Sequence, residues 1–381
     1  MRDSTLDKSA ELKAATPAGP VPRPGITAIR SITPSHHRLP ETSAIRLWAN
    51  ESSLGPSPKA VAAYQAASAR MFRYPDGDAV DVRTALATRY GVDVTRILMG
   101  IGSDELLNAL VRAYAGVGDE VLFPTATFPM YRTYALAAGA TPVQAPDRDH
   151  ATDVDALLAK VTPATKVVII ANPNNPTGTY LNRGALERLR SELRQDVLLI
   201  IDAAYAEYCE QPDYESGVRL AETTGNTAMT RTFSKVHGLA GLRLGWLYAS
   251  PEIISVIGRI RSPFNVSTPA QAAGVAALED TTYQDYVIAH ARKWRGILRQ
   301  RMAEFGLATT GTEGNFVNIG FPTTPGATAA DAEKFLREKG VLVRSMGMFG
   351  MPHHLRATVG RDEEMQALID AIGAFLKGTD S

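Results

Sequence analysis

Short runs of Val, Ile and Leu alternate with amphipathic segments through the middle of this 381-residue chain. The runs have the length of strands and lie at residues 120–123, 166–171, 197–201 and 227–232. Between them, apolar residues recur at the spacing of a helix face, as in Leu106, Leu107, Leu110, Val111 and Tyr114. Because helices join neighbouring parallel strands, the alternation predicts an α/β fold with a mostly parallel central sheet sandwiched by helices. The core strands should lie within residues 95–250.

The two ends of the chain have different patterns. Residues 283–305 have the pattern of one long helix, followed by predicted strands at 316–319 and 341–343 and predicted helices at 331–339 and 363–376. These elements indicate a smaller C-terminal α+β domain. The first residues, up to about residue 25, mix charged side chains with four prolines and predict a flexible arm.

Composition excludes several classes of partner. Lys and Arg number 40 and Asp and Glu also number 40, so there is no excess positive charge for binding nucleic acid or an anionic membrane surface. Cys209 is the only cysteine, so no disulfide can form within the chain. The apolar run at 197–201 is far shorter than the ~20 residues of a membrane-spanning helix. We therefore expect a cytoplasmic protein with neither a nucleic-acid nor a membrane partner.

Polar residues follow three of the predicted strands. The turn 172–178 follows the first, Asp202 ends the second, and Ser234 and Lys235 follow the third. Ligands of open parallel sheets bind beyond the carboxyl ends of the strands. An Asp at the end of an apolar strand needs a cation, which Lys235 could supply in a structural ion pair. Alternatively, both residues could serve pyridoxal phosphate, which needs a Schiff-base lysine and a carboxylate facing its ring nitrogen.

A glycine-bearing segment could bind the phosphate of such a cofactor. Residues 100–104, Gly-Ile-Gly-Ser-Asp, follow an apolar run and open a predicted helix, so free amides at the helix N-terminus can bind an anion. The segment does not match a dinucleotide-binding fingerprint, because Glu105 occupies the place of the third glycine. Ser234 and Arg243 offer a hydroxyl and a guanidinium to the same phosphate.

These motifs and several others occur in the order and spacing of the fold-type I aminotransferases, which the chain resembles over residues 45–375. The matching residues are Asn50-Glu51, Gly55-Pro56, Tyr74-Pro75, residues 102–105, residues 174–178, Asp202 with Tyr205, Ser234-Lys235, residues 239–243 and Leu355-Arg356. More narrowly, the chain resembles the histidinol-phosphate aminotransferase family. The resemblance implies a homodimer whose subunit has an N-terminal arm at 1–45, a large domain binding pyridoxal 5'-phosphate at 46–286 and a small C-terminal domain at 287–381.

The resemblance also implies roles for individual residues. Lys235 would form the Schiff base and move the substrate proton, while Asp202 would keep the ring nitrogen protonated. Tyr205 and Asn175 would hydrogen-bond the ring oxygen, and Phe128 would stack on the ring, unless it only packs in the core. The implied phosphate-binding residues are Ser103, Asp104, Thr232, Ser234, Arg243 and, from the partner subunit, Tyr74. The implied substrate-binding residues are Asn50, Asn175, Arg344 and Arg356.

The implied reaction transfers the amino group of L-histidinol phosphate to 2-oxoglutarate, in histidine biosynthesis. An aromatic amino acid remains open as the donor, because residues 30–33 read Arg-Ser-Ile-Thr where many relatives have Pro-Tyr, and residues 345–351 form an apolar, Met-rich loop. A phosphoamino-acid decarboxylase would share most of the cofactor residues. A transcription regulator with this fold would need a DNA-binding domain, and the ~45 residues ahead of the fold have no helix-turn-helix pattern. Adjacent His353 and His354 lack the spacing of a metal-binding pair, so no metal is expected.

Overall fold

The computed structural model describes residues 19–29 and 44–379. The segment 30–33 and most of the predicted arm lie outside the described residues. The strands are β1 Ile45–Arg46, β2 Ile97–Gly100, β3 Glu120–Pro124, β4 Thr141–Ala145, β5 Thr165–Ala171, β6 Leu198–Asp202, β7 Thr227–Thr232, β8 Gly245–Ala249, β9 Thr309–Thr310, β10 Phe316–Gly320, β11 Val341–Leu342, β12 Arg344–Ser345 and β13 His354–Thr358. The α-helices are α1 Pro24–Thr27, α2 Pro58–Ser68, α3 Val80–Tyr90, α4 Ser103–Tyr114, α5 Met130–Ala138, α6 Val154–Ala159, α7 Arg183–Glu192, α8 Val218–Thr223, α9 Pro251–Ile260, α10 Thr268–Glu279, α11 Thr281–Glu304, α12 Ala329–Glu338 and α13 Asp362–Thr379.

Seven strands form the central sheet in the order β2-β8-β7-β6-β5-β3-β4. Strand β8 runs antiparallel to both of its neighbours, and the other pairs of adjacent strands are parallel. Every residue of β6 and β7 is buried, as expected of strands covered on both faces. The predicted α/β fold is confirmed, and its central strands lie between residues 97 and 249.

Alternate residues of the central strands pack in two different hydrophobic cores, one on each face of the sheet. Ile169 and Ile200 pack with α4, α5 and α9 on one face of the sheet, whereas Ile170 and Ile201 pack with α7 on the other face. This alternation follows from the two-residue period of a strand. Farther along the second face, α3 and α10 cover β2, β7 and β8. Within the described residues, none of the helices is long and apolar enough to span a membrane.

The ends of β5, β6 and β7 are aligned. Ala171 pairs with Asp202, and Asp202 pairs with Thr230. The segments that leave these strands therefore begin at one edge of the sheet, which is where the sequence predicts a ligand site.

Strands β9, β10, β12 and β13 form a second, antiparallel sheet, which packs against α11, α12 and α13. We call these elements, together with β1 and β11, the C-terminal unit. Strand β1 pairs in parallel with β11, and Leu47 lies in the core of this unit beside residues such as Leu298 and Val317. The domain boundaries at 45/46 and 286/287 stay predictions.

The described part of the N-terminal segment contacts the main body of the protein. Helix α1 lies against α5, and the Arg23 guanidinium donates a hydrogen bond to the carbonyl of Ala137. Gly25 approaches so closely that a Cβ atom there would lie 2.3 Å from the carbonyl oxygen of Leu136. The described part of the segment thus contacts α5 at Arg23 and Gly25, although no residue of α1 is buried, and a glycine permits this close approach.

Candidate active site

A cavity of about 950 Å³ opens at the carboxyl ends of β5, β6 and β7, facing the C-terminal unit. All the predicted site residues except Tyr74 line it, namely Asn50, Ser103, Asp104, Phe128, Asn175, Asp202, Tyr205, Thr232, Ser234, Lys235, Arg243, Arg344 and Arg356. The structure therefore brings together residues that are up to about 300 positions apart in the sequence. Their individual roles stay predictions.

Asp202 is a buried carboxylate at the wall of the cavity. Tyr131 of α5 donates a hydrogen bond to its Oδ2 at 2.9 Å, and the amide of Ala204 donates to its Oδ1 at 3.3 Å. Burial raises the pKa of the Asp202 carboxyl to about 6, although the Tyr131 hydrogen bond opposes the increase. A positive charge placed beside Asp202 would stabilise the ionised form.

The Lys235 side chain is bonded to backbone rather than to Asp202. Its Nζ donates a hydrogen bond to the carbonyl of Asn50 at 3.2 Å and lies 5.6 Å from the centre of the Tyr205 ring. The structural ion pair considered from the sequence is therefore not formed. The amine and the carboxylate instead line the same cavity at separate points, which leaves both available to a ligand.

Groups that can bind an anion lie together at the N-terminus of α4. The helix begins at Ser103 after Gly102, which has no side chain to cap the first amides, so these amides can bind an anion. Thr232 donates a hydrogen bond to the Ser234 hydroxyl at 2.9 Å, and the Arg243 guanidinium lies 3.5 Å from that hydroxyl. A Cβ atom on Gly102, whose φ is +85°, would lie 2.6 Å from Arg243 Nη2. The positive φ favours glycine here, and a side chain at this position would displace the guanidinium.

Arg356 is a buried cation in the lining of the cavity. Its guanidinium lies between the rings of Phe316 and Phe349, with Cζ 5.4 and 5.6 Å from their centres. The two terminal nitrogens donate to Asn175 Oδ1 and to the carbonyl of Trp48. Burial lowers the pKa of Arg356 to about 10, so the group is still charged at neutral pH. The aromatic rings and hydrogen bonds hold this cation in place before any anion binds.

The contact with Arg356 also orients Asn175. Because Asn175 Oδ1 accepts a hydrogen bond from the guanidinium, the amide nitrogen of Asn175 is directed elsewhere as a donor. A second cation, Arg344, lies with its Cζ 5.7 Å from the centre of the Trp48 ring, and burial lowers the pKa of Arg344. Two arginines in one cavity suit a phosphate or a carboxylate.

Three further residues of the site, Trp48, Tyr131 and Phe349, were not predicted from the sequence. Trp48 and Phe349 line the cavity, and Tyr131 lies behind it as the partner of Asp202. Phe349 belongs to the Met-rich loop 345–351, in which Met346 and Met351 are buried against Ala126. Met346 and Met351 therefore pack in the protein, whereas Met348 is exposed. Phe349 belongs to the same buried cluster and also lines the cavity. Only the closeness of Trp48 to the Asn50-Glu51 motif could have identified it.

The residues of the cavity fit pyridoxal phosphate. The buried Asp202 carboxylate suits a protonated ring nitrogen, and the uncapped start of α4 suits the phosphate group. Lys235 supplies an amine in the same cavity, while Tyr205 and Asn175 supply hydrogen-bond donors for a ring oxygen.

Tyr74 lies outside the cavity of its own chain. Its side chain is 84% exposed, and its ring stacks on Phe264 with the ring centres 4.9 Å apart. The predicted contact between Tyr74 and a cofactor phosphate would therefore have to involve the site of another subunit.

The fold and this site are those of an aminotransferase, and the chain belongs to the class I and II aminotransferase family, whose model matches residues 42–372. The chain is 48% identical to the histidinol-phosphate aminotransferase of Rhodopseudomonas palustris (strain HaA2) over 359 residues, which are 94% of this chain and 98% of that protein. It is also 48% identical to the histidinol-phosphate aminotransferase of Rhodospirillum centenum, over 95% of this chain and 100% of that protein.

A solved structure is also similar. The crystal structure of histidinol-phosphate aminotransferase from Sinorhizobium meliloti in complex with pyridoxal-5'-phosphate superposes with a TM-score of 0.83 and 28% sequence identity. The match covers 88% of this chain and 91% of that one. The family resemblance predicted from the motifs is confirmed.

Proposed function

We propose that the protein is a pyridoxal-phosphate-dependent aminotransferase that transfers the amino group of L-histidinol phosphate to 2-oxoglutarate, in the cytoplasmic synthesis of histidine. The observation that carries the proposal is one cavity in which Lys235 and Asp202 lie with two arginines, Arg344 and Arg356. The histidinol-phosphate aminotransferases that match nearly the whole chain support this substrate.

The cofactor, when bound, supplies an electron sink for the charge that develops on the substrate carbon. Lys235, whose amine opens into the cavity, would move the proton between that carbon and the cofactor. Asp202, with its buried negative charge, would keep the ring nitrogen protonated. Tyr205 and Asn175 would donate hydrogen bonds to the ring oxygen. The aromatic side chains Phe128 and Phe349 exclude water from the reacting atoms.

The two arginines serve both halves of the reaction. A guanidinium binds a phosphate or a carboxylate through two parallel hydrogen bonds, so the phosphate of histidinol phosphate and the carboxylate of 2-oxoglutarate can use one pocket in turn. Asn50, at the same cavity, is the further substrate contact.

The proposed enzyme acts as a homodimer. An exposed apolar stretch consists of Met71, Phe72 and Tyr74, which are 74–84% exposed. Phe264, which stacks on Tyr74, is also exposed. Exposed apolar patches of this kind are typical of protein interfaces. We assign this patch to contact with a second copy of the chain, in which Tyr74 reaches the cofactor phosphate of the partner.

Half-reaction spectra test the proposed substrate. The purified protein, loaded with pyridoxal phosphate, is mixed separately with histidinol phosphate, glutamate, phenylalanine and tyrosine, and the loss of visible cofactor absorption is followed. Histidinol phosphate and glutamate should react fastest. Faster reaction with phenylalanine or tyrosine would favour an aromatic amino acid aminotransferase, and release of carbon dioxide without an oxo acid would indicate a decarboxylase.

A matched pair of lysine variants tests the catalytic residue. Lys235→Ala should lose both turnover and the pH-sensitive visible absorption of the bound cofactor. Lys166→Ala, which removes only a surface ion pair with Asp196, should keep both. An unchanged pH-sensitive spectrum in Lys235→Ala would refute the assignment of Lys235.

A further inference from the structure

Asn50 has an unusual backbone conformation at the centre of the cavity wall. Its φ is +54°, a left-handed backbone conformation that residues other than Gly, Asn and Asp rarely adopt. The residue is only 1% exposed. The carbonyl of this residue accepts the hydrogen bond from Lys235, and its amide nitrogen donates to the Tyr205 hydroxyl at 2.8 Å. One residue thus contacts both the amine and the phenol of the site.

Two buried residues of the C-terminal unit hold Asn50 in this conformation. The Thr358 hydroxyl, at the end of β13, accepts a hydrogen bond from the Asn50 backbone amide at 2.9 Å and donates one to Asn50 Oδ1 at 3.1 Å. The side-chain nitrogen of Asn315 donates to the carbonyls of Asn50 and Glu51, at 3.1 and 3.2 Å. Backbone and side chain of Asn50 are therefore both restrained.

The hydrogen bonds of Asn50 also indicate which group donates and which accepts in its contact with Tyr205. Asn50 presents its Oδ1 to the Thr358 hydroxyl and its Nδ2 to Tyr205. The flipped amide would leave the buried Thr358 proton without the acceptor that it has here, which favours the observed orientation. Because that nitrogen can only donate, the Tyr205 oxygen accepts. The Tyr205 proton is then free to point away from Asn50, into the cavity.

We propose that Thr358 is a positioning residue that acts through Asn50 to keep the Tyr205 hydroxyl oriented as a hydrogen-bond donor toward the cofactor ring oxygen. This inference rests on the proposed function, because it needs a cofactor with such an oxygen. It assigns a role in the chemistry to a residue that does not line the cavity.

The test is the pH dependence of the visible absorption of the pyridoxal-phosphate-loaded enzyme. A donor to the ring oxygen withdraws charge from the chromophore and lowers its apparent pKa. Tyr205→Phe should therefore raise that pKa, and Thr358→Val, which removes only the hydroxyl, should raise it by about 0.5–1 pH unit because the hydrogen bond is weakened rather than lost. Thr358→Ser should restore the wild-type value.

The double variant Thr358→Val with Tyr205→Phe shows whether one residue acts through the other. Its pKa should equal that of Tyr205→Phe alone, whereas additive shifts would overturn the proposal. Thr227→Val is the structural control, since Thr227 is a fully buried threonine at the other end of β7, with its hydroxyl 2.7 Å from Thr224. That variant should lose stability without a spectral shift.

The remaining outcomes distinguish a failure of the role proposed for Thr358 from a failure of the proposed function. If Thr358→Val does not fold, Thr358→Ala removes the same hydroxyl and carries the same expectation. An unshifted pKa in a folded Thr358 variant, beside a shifted one in Tyr205→Phe, would refute the role of Thr358. Wild-type protein without a visible band after loading would instead refute the proposed function.

Discussion

The phenol of Tyr131 donates a hydrogen bond to the Asp202 carboxylate, 2.9 Å away, and both groups are buried. This donor and the amide of Ala204 together do not offset the cost of burying the charge, since the pKa of Asp202 still rises from 3.8 to about 6. The cofactor-free protein therefore carries a carboxylate whose charged form is destabilised, and a cationic ring nitrogen would relieve that cost.

The first prediction is a pH-dependent destabilisation by Asp202. Because the pKa is higher in the folded state, the folded protein binds more protons than the unfolded chain between about pH 4 and pH 6, so stability falls as the pH rises through this window. Cofactor-free Asp202→Asn should be more stable than wild type by roughly 3 kcal/mol at pH 7, and the difference should vanish near pH 4. Urea unfolding measures this difference. A value independent of pH would contradict the prediction.

The second prediction concerns the contact between Gly102 and Arg243. In Gly102→Ala the new Cβ would meet the Arg243 guanidinium, so the phosphate site should open and the affinity for pyridoxal phosphate should fall by at least about tenfold. Gly118→Ala is the control, because Gly118 has φ +90° and open space around it. Both variants should lose about 1 kcal/mol of stability through backbone strain. Equal affinities in equilibrium dialysis would argue against the phosphate site.

The third prediction tests whether one pocket serves both substrates. Arg356→Lys keeps the charge but loses the forked pair of donors, so the affinities for histidinol phosphate and for 2-oxoglutarate should both fall by roughly 10–100-fold. Arg190→Lys is the control, since Arg190 is buried far from the cavity and bonds backbone carbonyls near the start of β6. A loss confined to one of the two anions, measured by half-reaction titration, would mean that they bind at different places.

The fourth prediction concerns the exposed phenol of Tyr74. If it binds the cofactor phosphate of the partner subunit, Tyr74→Phe removes a hydrogen bond to a charged acceptor and should lower cofactor affinity by about one to two powers of ten. Mixing Tyr74→Phe subunits with Lys235→Ala subunits would then give heterodimers with one site carrying both defects and one site carrying neither. Activity should rise above that of either parent, toward half of wild type.

The mixing experiment has a clear negative result. Mass spectrometry first establishes that heterodimers are present. If they are and activity does not rise, then Tyr74 acts in its own subunit or does not contact the cofactor at all.

The sequence was sufficient to predict four strands of the central sheet, β3, β5, β6 and β7, and about half of the residues that line the cavity. Strands β5 and β6 are buried on both faces, so they require the unbroken apolar runs that identify them, and the polar residue ending each run identifies the ligand edge. The long helix predicted at 283–305 corresponds to α11. These features are local, which is why a pattern within about ten residues reveals them.

The parts that could not be predicted depend on distant contacts. The antiparallel direction of β8 is set by its neighbours, and the two residues of β1 are too few to carry a strand signal before they pair with β11. Tyr131 and Thr358 look like ordinary helix and strand residues in the sequence. Their importance comes from the hydrogen bonds to Asp202 and Asn50, which exist only in the folded chain.

The hydrogen bond between Asn50 and Thr358 joins residues 308 positions apart. During synthesis, the strands of the central sheet are complete at residue 249 and the helices that cover it at residue 279, but Asn50 must wait until the end of β13 has been made. The catalytic pocket is therefore among the last parts of the molecule to be completed. A chain that ended before Thr358 would keep the strands of the central sheet and their covering helices, yet it would lack the contact that holds Asn50 against Lys235 and Tyr205. The site is therefore incomplete in any nascent chain that ends before Thr358.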